Sequence, residues 1–163
     1  MKTMKRINSI KVSKIVDTDP DLSDLGEYSN QEKPGAIDRE ARGEKGRNEF
    51  RYFVPAMTGE QTGNPESPEQ DYKRMEAYNR QEWGMFGVKA VAEVALSFDG
   101  GKTWKLDYLT SGGLWGIESD SEASCFEEVK RDELANLTQI LEAYGFDPIL
   151  IYTACEKVKL ENE

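Results

Sequence analysis

Between Phe86 and Phe98 every even-numbered residue is apolar: Phe86, Val88, Ala90, Ala92, Val94, Leu96 and Phe98. The positions between them include Lys89, Glu93 and Ser97. Side chains alternate faces along a strand, so this period of two commits the stretch to a β-strand with one face on a core and the other toward water. A helix would scatter the same residues around its circumference. After Asp99-Gly100-Gly101-Lys102, whose glycines suit a tight turn, the alternation resumes. Trp104, Leu106 and Tyr108 are expected to face inward, with Lys105 and Asp107 outward. The reading is a β-hairpin over 85–110, with the rest of the chain arranged around it.

At 163 residues the chain is long enough for a sizeable core, and one domain spanning 1–163 is expected. Lys and Arg total 21 against 31 Asp and Glu, a net charge of −10. That balance argues against direct nucleic-acid binding, which needs cations to neutralise phosphates. An acidic surface that meets another protein stays open, beside the plainer reading of solubility. The segment MKTMKRINSI lacks the apolar centre of a signal peptide, and no run of 18 apolar residues exists to span a membrane. Cys125 and Cys155 are then expected to be reduced thiols in a soluble, cytoplasmic protein. The chain has no histidine, which removes Ser-His-Asp and Cys-His catalysis, HExxH zinc sites and imidazole acid–base chemistry. No catalytic residue, metal site or cofactor is assigned.

Residues 5–16, which mix β-branched residues with Lys and Ser, read as an edge strand whose Lys11 and Lys14 discourage further pairing. Asp17-Thr18-Asp19-Pro20-Asp21 has the opening of an EF-hand loop, but Leu22 stands where glycine is required and Tyr28 where the last ligand belongs. A turn is favoured there. The polar segment 26–48 reads as a long, mobile loop, its basic cluster Arg39, Arg42, Lys45 and Arg47 interrupted by acids. Residues 50–54 form a short strand. Ser67 as N-cap, Pro68 and Gln70 mark the start of a helix over about 68–82. Its core stripe is Tyr72, Met75, Asn79 and Trp83, with the Asn79 amide bonded to backbone of a neighbouring loop.

Ser97-Phe98-Asp99-Gly100-Gly101-Lys102-Thr103-Trp104 has the form S-x-D-x-G-x-T-W and resembles the Asp-box that recurs in sialidases and other β-rich proteins. The resemblance covers these eight residues and implies a folded hairpin turn lying away from any catalytic centre. Asp99 is suited to accepting backbone N–H groups and Trp104 to packing over the turn. Gly101-Lys102-Thr103 is not the end of a phosphate-binding loop, because Leu96 occupies the glycine position and a strand follows.

Past the hairpin, Ser111-Gly112-Gly113 interrupts the second arm, and Leu114 and Ile117 suggest a short third strand. Glycines around Trp115 suit either a tight turn or backbone close to a ligand; Trp115, Glu118 and Asp120 are the candidate ligand-binding residues. A second helix is expected over about 121–143, capped by Ser119, Asp120 or Ser121 and ending near Gly145. Its apolar side is Phe126, Val129, Leu134, Leu137, Ile140, Leu141 and Tyr144. Lys130 and Glu133 fall inside that stripe, spaced to pair with each other or to reach water past the core. Glu127, Glu128, Asp132 and Glu142 point outward, and Glu127, Glu128 and Asp132 are the candidate protein-binding face. Pro148–Cys155 is expected to be a last strand, followed by a fraying tail.

The fold class that follows is α+β: a mainly antiparallel sheet centred on the 85–110 hairpin, with two helices packed on it. The stretches DLGEYSN, FVPAMTGEQTGNPESPEQDYKRMEAYNRQEW and SGGLWGIESDSE are similar in style to small, uncharacterised proteins of phages and other mobile elements. That resemblance implies a non-enzymatic accessory protein that binds another protein through an acidic surface. The alternative is a small-ligand-binding protein or carboxylate-based enzyme using the Gly112–Asp120 loop.

Overall fold

The computed structural model describes residues 2–46 and 48–163. In chain order the elements are β1 (Met4–Asp17), β2 (Gly26–Ser29), β3 (Ile37–Asp38), β4 (Tyr52–Pro55), α1 (Gly59–Thr62), α2 (Ser67–Asn79), β5 (Met85–Ser97), β6 (Lys105–Thr110), β7 (Leu114–Glu118), α3 (Ala123–Ala143), α4 (Pro148–Cys155) and β8 (Leu160–Asn162). The protein is α+β, and its chain forms two compact units. The first comprises the residues up to Thr18 together with Gly84–Glu163; the second is Asp19–Trp83.

In the first unit β5 is the central strand. β1 pairs with it antiparallel from Met4↔Ser97 to Asp17↔Met85, and β6 followed by β7 occupies its other edge. The even-numbered side chains of β5 form the core face, as their period requires. Val88, Ala90, Ala92 and Val94 pack with Ile10 and Val12 against Phe126, Val129, Leu137 and Leu141 of α3, with Phe146 and with Ile151 of α4. Ala90 and Ala92 are fully buried; their small size lets the helices approach the sheet closely.

The second arm has the opposite parity to the one expected. Ala92 lies opposite Leu109, Val94 opposite Asp107 and Leu96 opposite Lys105, and directly opposed residues share a face. Leu106 and Tyr108 therefore stand on the helix-free face, 56% and 59% exposed. The turn sets the register, and a shift by one residue exchanges the faces. β1 carries a similar shift. Ile7 opposes Val94 while Ser9 opposes Glu93, so Asn8 is an extra residue and the core-facing set changes from Lys5 and Ile7 to Ile10, Val12 and Lys14. β1 is also not a simple edge strand, since β8 pairs parallel with it at Val12, Ser13 and Lys14. The Lys14 ammonium lies over the Phe126 ring at 3.8 Å and the Phe86 ring at 4.4 Å, where it meets the aromatic faces rather than guarding an edge.

The segment 148–155 is a helix, not the expected strand. α3 ends at Tyr144 with Gly145 N–H donating to Glu142 O (2.8 Å) and Phe146 N–H to Leu141 O (3.1 Å), the paired bonds of a Schellman cap. Asp147 then accepts from the Ile149 N–H at 2.8 Å, with Pro148 at the first helical position, so the next helix starts at once. The buried stripe of α3 is Phe126, Val129, Glu133, Leu137 and Leu141; Tyr144 is exposed. Glu122 stands at its N-cap with no side-chain cap bond. Ser119, one of the expected caps, instead accepts the Gly84 N–H at 2.9 Å.

The second unit is a small sheet, in the order β2-β4-β3, packed with α2. Ile37, Phe53, Tyr72 and Met75 form its core. The polar segment 26–48 contributes β2 and β3 rather than being loop throughout; Arg47, the last of its basic cluster, lies outside the described residues. Asp21 accepts the Ser23 N–H at 2.9 Å, the bond of a turn. α2 begins one residue earlier than expected, with Glu66 at its N-cap. Ser67 makes no cap and instead shares a 2.6 Å hydrogen bond with Thr62 Oγ1. α1 owes its one turn to a capping box between Thr58 and Gln61. Asn79 is exposed and donates to the Tyr28 hydroxyl at 2.6 Å, a side chain rather than backbone.

Arg39 organises this unit. It is 1% exposed and donates to Phe50 O (2.6 Å), Lys45 O (3.3 Å), the Tyr72 hydroxyl (3.3 Å) and Glu76 Oε1 (3.1 Å). One planar fork thus ties the connection between β3 and β4 to α2. Tyr28 donates to the same Glu76 oxygen at 2.6 Å. Burial, then the Glu76 hydrogen bond, push its phenol well above the ordinary tyrosine range. We expect Arg39→Met to cost about 3 kcal/mol, the penalty for breaking a buried pair from one side, and Arg39→Lys to recover little because one ammonium cannot span these acceptors. Urea unfolding gives the size of the loss. Amide exchange should accelerate across 39–50 while β5 stays protected.

Candidate functional site

The hairpin turn is held by Asp99. Its Oδ1 accepts from Ser97 Oγ (2.8 Å), Thr103 N (2.9 Å) and Lys102 N (3.0 Å), and its Oδ2 from Thr103 Oγ1 (2.6 Å). Ser97 Oγ in turn accepts the Gly101 N–H, and Trp104 Nε1 donates to Gly101 O at 3.1 Å. The Arg6 guanidinium stacks on the Trp104 ring at 3.7 Å. Every polar group of the turn that Asp99 reaches is satisfied within the turn, so its carboxylate is a structural acceptor.

The glycine loop is also explained by packing. Ser111 is buried; its Oγ accepts the Ala90 N–H at 2.9 Å and donates to Glu133 Oε2, which also accepts the Gly113 N–H at 3.0 Å. Asn136 Nδ2 reaches Glu133 Oε1 at 3.4 Å. Glu133 is thus neither paired with Lys130 nor solvated. It is a buried clamp that carries the ladder across the break between β6 and β7, while Lys130 pairs with Glu127 at 2.7 Å. Trp115 lies against the backbone of β5: a Cβ placed on Gly87 would come within 2.4 Å of its Cε3. Only glycine leaves room for that indole. Glu118 ends β7 opposite Met85, and Asp120 is exposed in the following turn. Of the three candidate ligand residues, Trp115 packs its ring on Gly87 and stays 46% exposed.

On α3, Glu127, Glu128 and Asp132 are exposed as expected. The neighbouring helix carries a different surface. α4 reads PILIYTAC, and among its large apolar residues only Ile151 is buried; Ile149 is 73% exposed, Tyr152 70% and Leu150 48%. Between α4 and β1 runs a groove formed of two adjoining hollows of about 420 and 300 Å³, which share Ser9, Ile10 and Ala154. A strand over 148–155 would present neither feature; in the sequence, the Asp147-Pro148 pair is the signal for a helix start.

In the second unit a hollow of about 330 Å³ is lined by Glu44, Glu69, Tyr72, Lys73, Glu76 and Arg80. Glu69 pairs with Arg42 at 2.9 Å and Glu76 with Arg39, so two of its three acids are already neutralised. Burial pushes the Tyr72 phenol up. Both cysteines are free thiols, and burial raises that of Cys155, which disfavours the thiolate a nucleophile requires. Among the described residues no group of three His, Cys, Asp or Glu side chains is placed to hold a metal ion, and no helix is long and apolar enough to cross a membrane. No family model, curated protein or solved structure matches the chain.

The hydrogen bonds from Thr103, then those from Ser97 and Lys102, hold the Asp99 carboxyl down at about 2. Because this value lies below the ordinary aspartate value of about 3.9, the bonds stabilise the fold fully above about pH 4, and that contribution fades as pH falls toward 2. Carbon-13 titration of the side chain should give a midpoint near 2. Thr103→Val should raise it, and an unchanged midpoint would show that the turn does not govern Asp99.

Proposed function

We propose that the protein is a non-catalytic binding protein that engages another protein through its first unit. One observation carries the reading: α4 is apolar around its circumference, yet it buries a single large side chain. Solvent-facing helices present polar residues outward, and contiguous exposed apolar surface on a folded protein marks a place where something else binds. Ile149 and Tyr152 lie three residues apart, on one face of the helix, and aromatic and apolar anchors of this kind dominate binding energy at interfaces. Two further features support the reading. The buried polar groups most reminiscent of a reactive site, Ser111 with Glu133 and Arg39 with Glu76, are occupied in holding loops. The resemblance to small mobile-element proteins fits an accessory role.

The acidic face of α3, with Glu127, Glu128 and Asp132, is the competing contact surface; exposed like-charged residues on a helix are also accounted for by solvation. The alternative of a ligand site or carboxylate-based enzyme at Gly112–Asp120 is weakened because the loop's Ser111 and Gly113 are taken up by Glu133 and Trp115 packs on Gly87.

The two surfaces separate by substitution. Affinity capture with chemical cross-linking on the full chain should give a partner that Ile149→Ser/Tyr152→Ser abolishes and that Glu127→Lys/Glu128→Lys/Asp132→Lys leaves bound. Both sets lie on exposed positions, where stability changes stay within about 0.5 kcal/mol. The opposite pattern would move the interface to α3. Capture insensitive to both would overturn the proposal.

A further inference from the structure

The groove beside α4 is bordered on its other side by an unpaired strand edge. β8 covers β1 only at Val12, Ser13 and Lys14, so among the described residues no strand pairs with that edge from Met4 to Lys11. A free edge presents a row of backbone donors and acceptors ready to bind an extended chain. Here the row borders a mainly apolar wall, Leu150 and Ala154 of α4 with Thr153 between them, and Ile7 and Ile10 of β1 also line the hollow.

The lining is also charged in one sense. The two hollows are lined by Lys5, Arg6, Lys11, Lys157 and Lys159 against one acid, Glu161, in a chain whose net charge is −10. The Lys5 ammonium is bonded to Tyr144 O and the Arg6 guanidinium stacks on Trp104, which leaves Lys11, Lys157 and Lys159 as the cations open to a ligand. Arg6 and Lys11 oppose Ala95 and Val91 on the helix-free face of the sheet, whereas Ile7 and Ile10 oppose Val94 and Ala92 on the helix side. A strand laid along this edge would alternate in the same way. Its side chains would fall in turn on the apolar wall and beside the cations.

Resting on the protein-binding reading above, we propose that the β1–α4 groove binds an extended acidic peptide segment of a partner protein, which adds to the sheet as a strand beside Met4–Lys11. The segment alternates apolar residues, seated against Leu150 and Ala154, with Asp or Glu on the side of Lys11. Lys157 and Lys159 hold a further acid at the end nearest β8. Lysines and a bulge such as the one at Asn8 also serve to blunt an edge against pairing. A blunted edge, however, needs neither a hollow alongside it nor an apolar wall across that hollow.

The test is selection of a random-peptide display library on the full-length protein, followed by titration of the enriched peptides into nitrogen-15-labelled protein. The expected ligands alternate apolar residues with Asp or Glu. They should slow amide exchange between Arg6 and Ile10 and lose binding when alternate backbone amides of the peptide are methylated. Lys11→Glu/Lys157→Glu/Lys159→Glu, all exposed positions, should weaken them about tenfold or more. Lys73→Glu/Lys102→Glu/Lys105→Glu, which changes net charge equally, should not. Enriched peptides that ignore the groove reversal but are lost with Ile149→Ser/Tyr152→Ser would overturn the strand-addition proposal and leave the protein-binding reading intact. A selection yielding no ligand sensitive to either variant would overturn both.

Discussion

The first unit depends on the antiparallel pairing of β1 with β5 and on the small side chains at the middle of that pair. Ala90 and Ala92 sit where α3 and α4 close over the sheet. Larger residues there would hold the helices away, and packing at native density leaves little room for either excess or loss of volume. The opposite edge of β5 is shared by two short strands rather than one long one. The discontinuity between them would leave backbone groups unpaired at the margin of the core. Glu133 and Ser111 remove that cost by lending a carboxylate and a hydroxyl to the ladder, a fully satisfied buried network of the kind that fixes one arrangement.

The second unit uses the same device with the sign of the charge reversed. A buried guanidinium, not a hydrophobic cluster, connects residues 39–50 to their helix. The core there is modest, built from Phe53, Tyr72, Met75 and Ile37, and the rings of Tyr28, Phe53 and Tyr72 meet at 5.3–5.4 Å between centroids. In both units, then, an ionisable side chain of the kind catalysis uses has its hydrogen-bonding capacity filled by the loop it holds. Unfilled capacity of other kinds is present in the first unit: exposed apolar area on α4 and unpaired backbone groups along the edge of β1.

What could be read from the chain alone follows from how far each signal extends. The period of two marks β5 and, from Val88 to Val94, its core face, although Phe98, expected on that face, lies beyond the strand and is 62% exposed. The spacing of Tyr72 with Met75, and of Phe126 with Val129 and Leu137, marks the two long helices. β6 was located but turned over, because which side chains point inward depends on how Asp99 folds the connecting turn rather than on the strand itself. PILIYTAC is short, apolar throughout and rich in β-branched residues, so neither periodicity separates helix from strand; its conformation is decided outside it, by Gly145 and Asp147. Asn8 hid the core pattern of β1 by changing its parity midway. Arg39 could not be recognised at all, since its partners lie on Phe50, Tyr72 and Glu76 and nothing local marks them. For the same reason the β1–α4 groove, formed by segments at opposite ends of the chain, had no sequence signature.

The order of the chain has one further consequence. β1 and β5 end and begin at directly opposed residues, Asp17 and Met85, and residues 18–84 form the connection between them. A flexible connection of that length must be brought end to end before any pair in the ladder can form, at an entropic cost that rises with the logarithm of its length. If Asp19–Trp83 assembles first, the slack chain is replaced by an object of fixed span, and the zipping of the central sheet becomes a short-range event. Maturation of the protein would then proceed from the middle of the polypeptide outward, with the edge of β1 among the last surfaces to take shape.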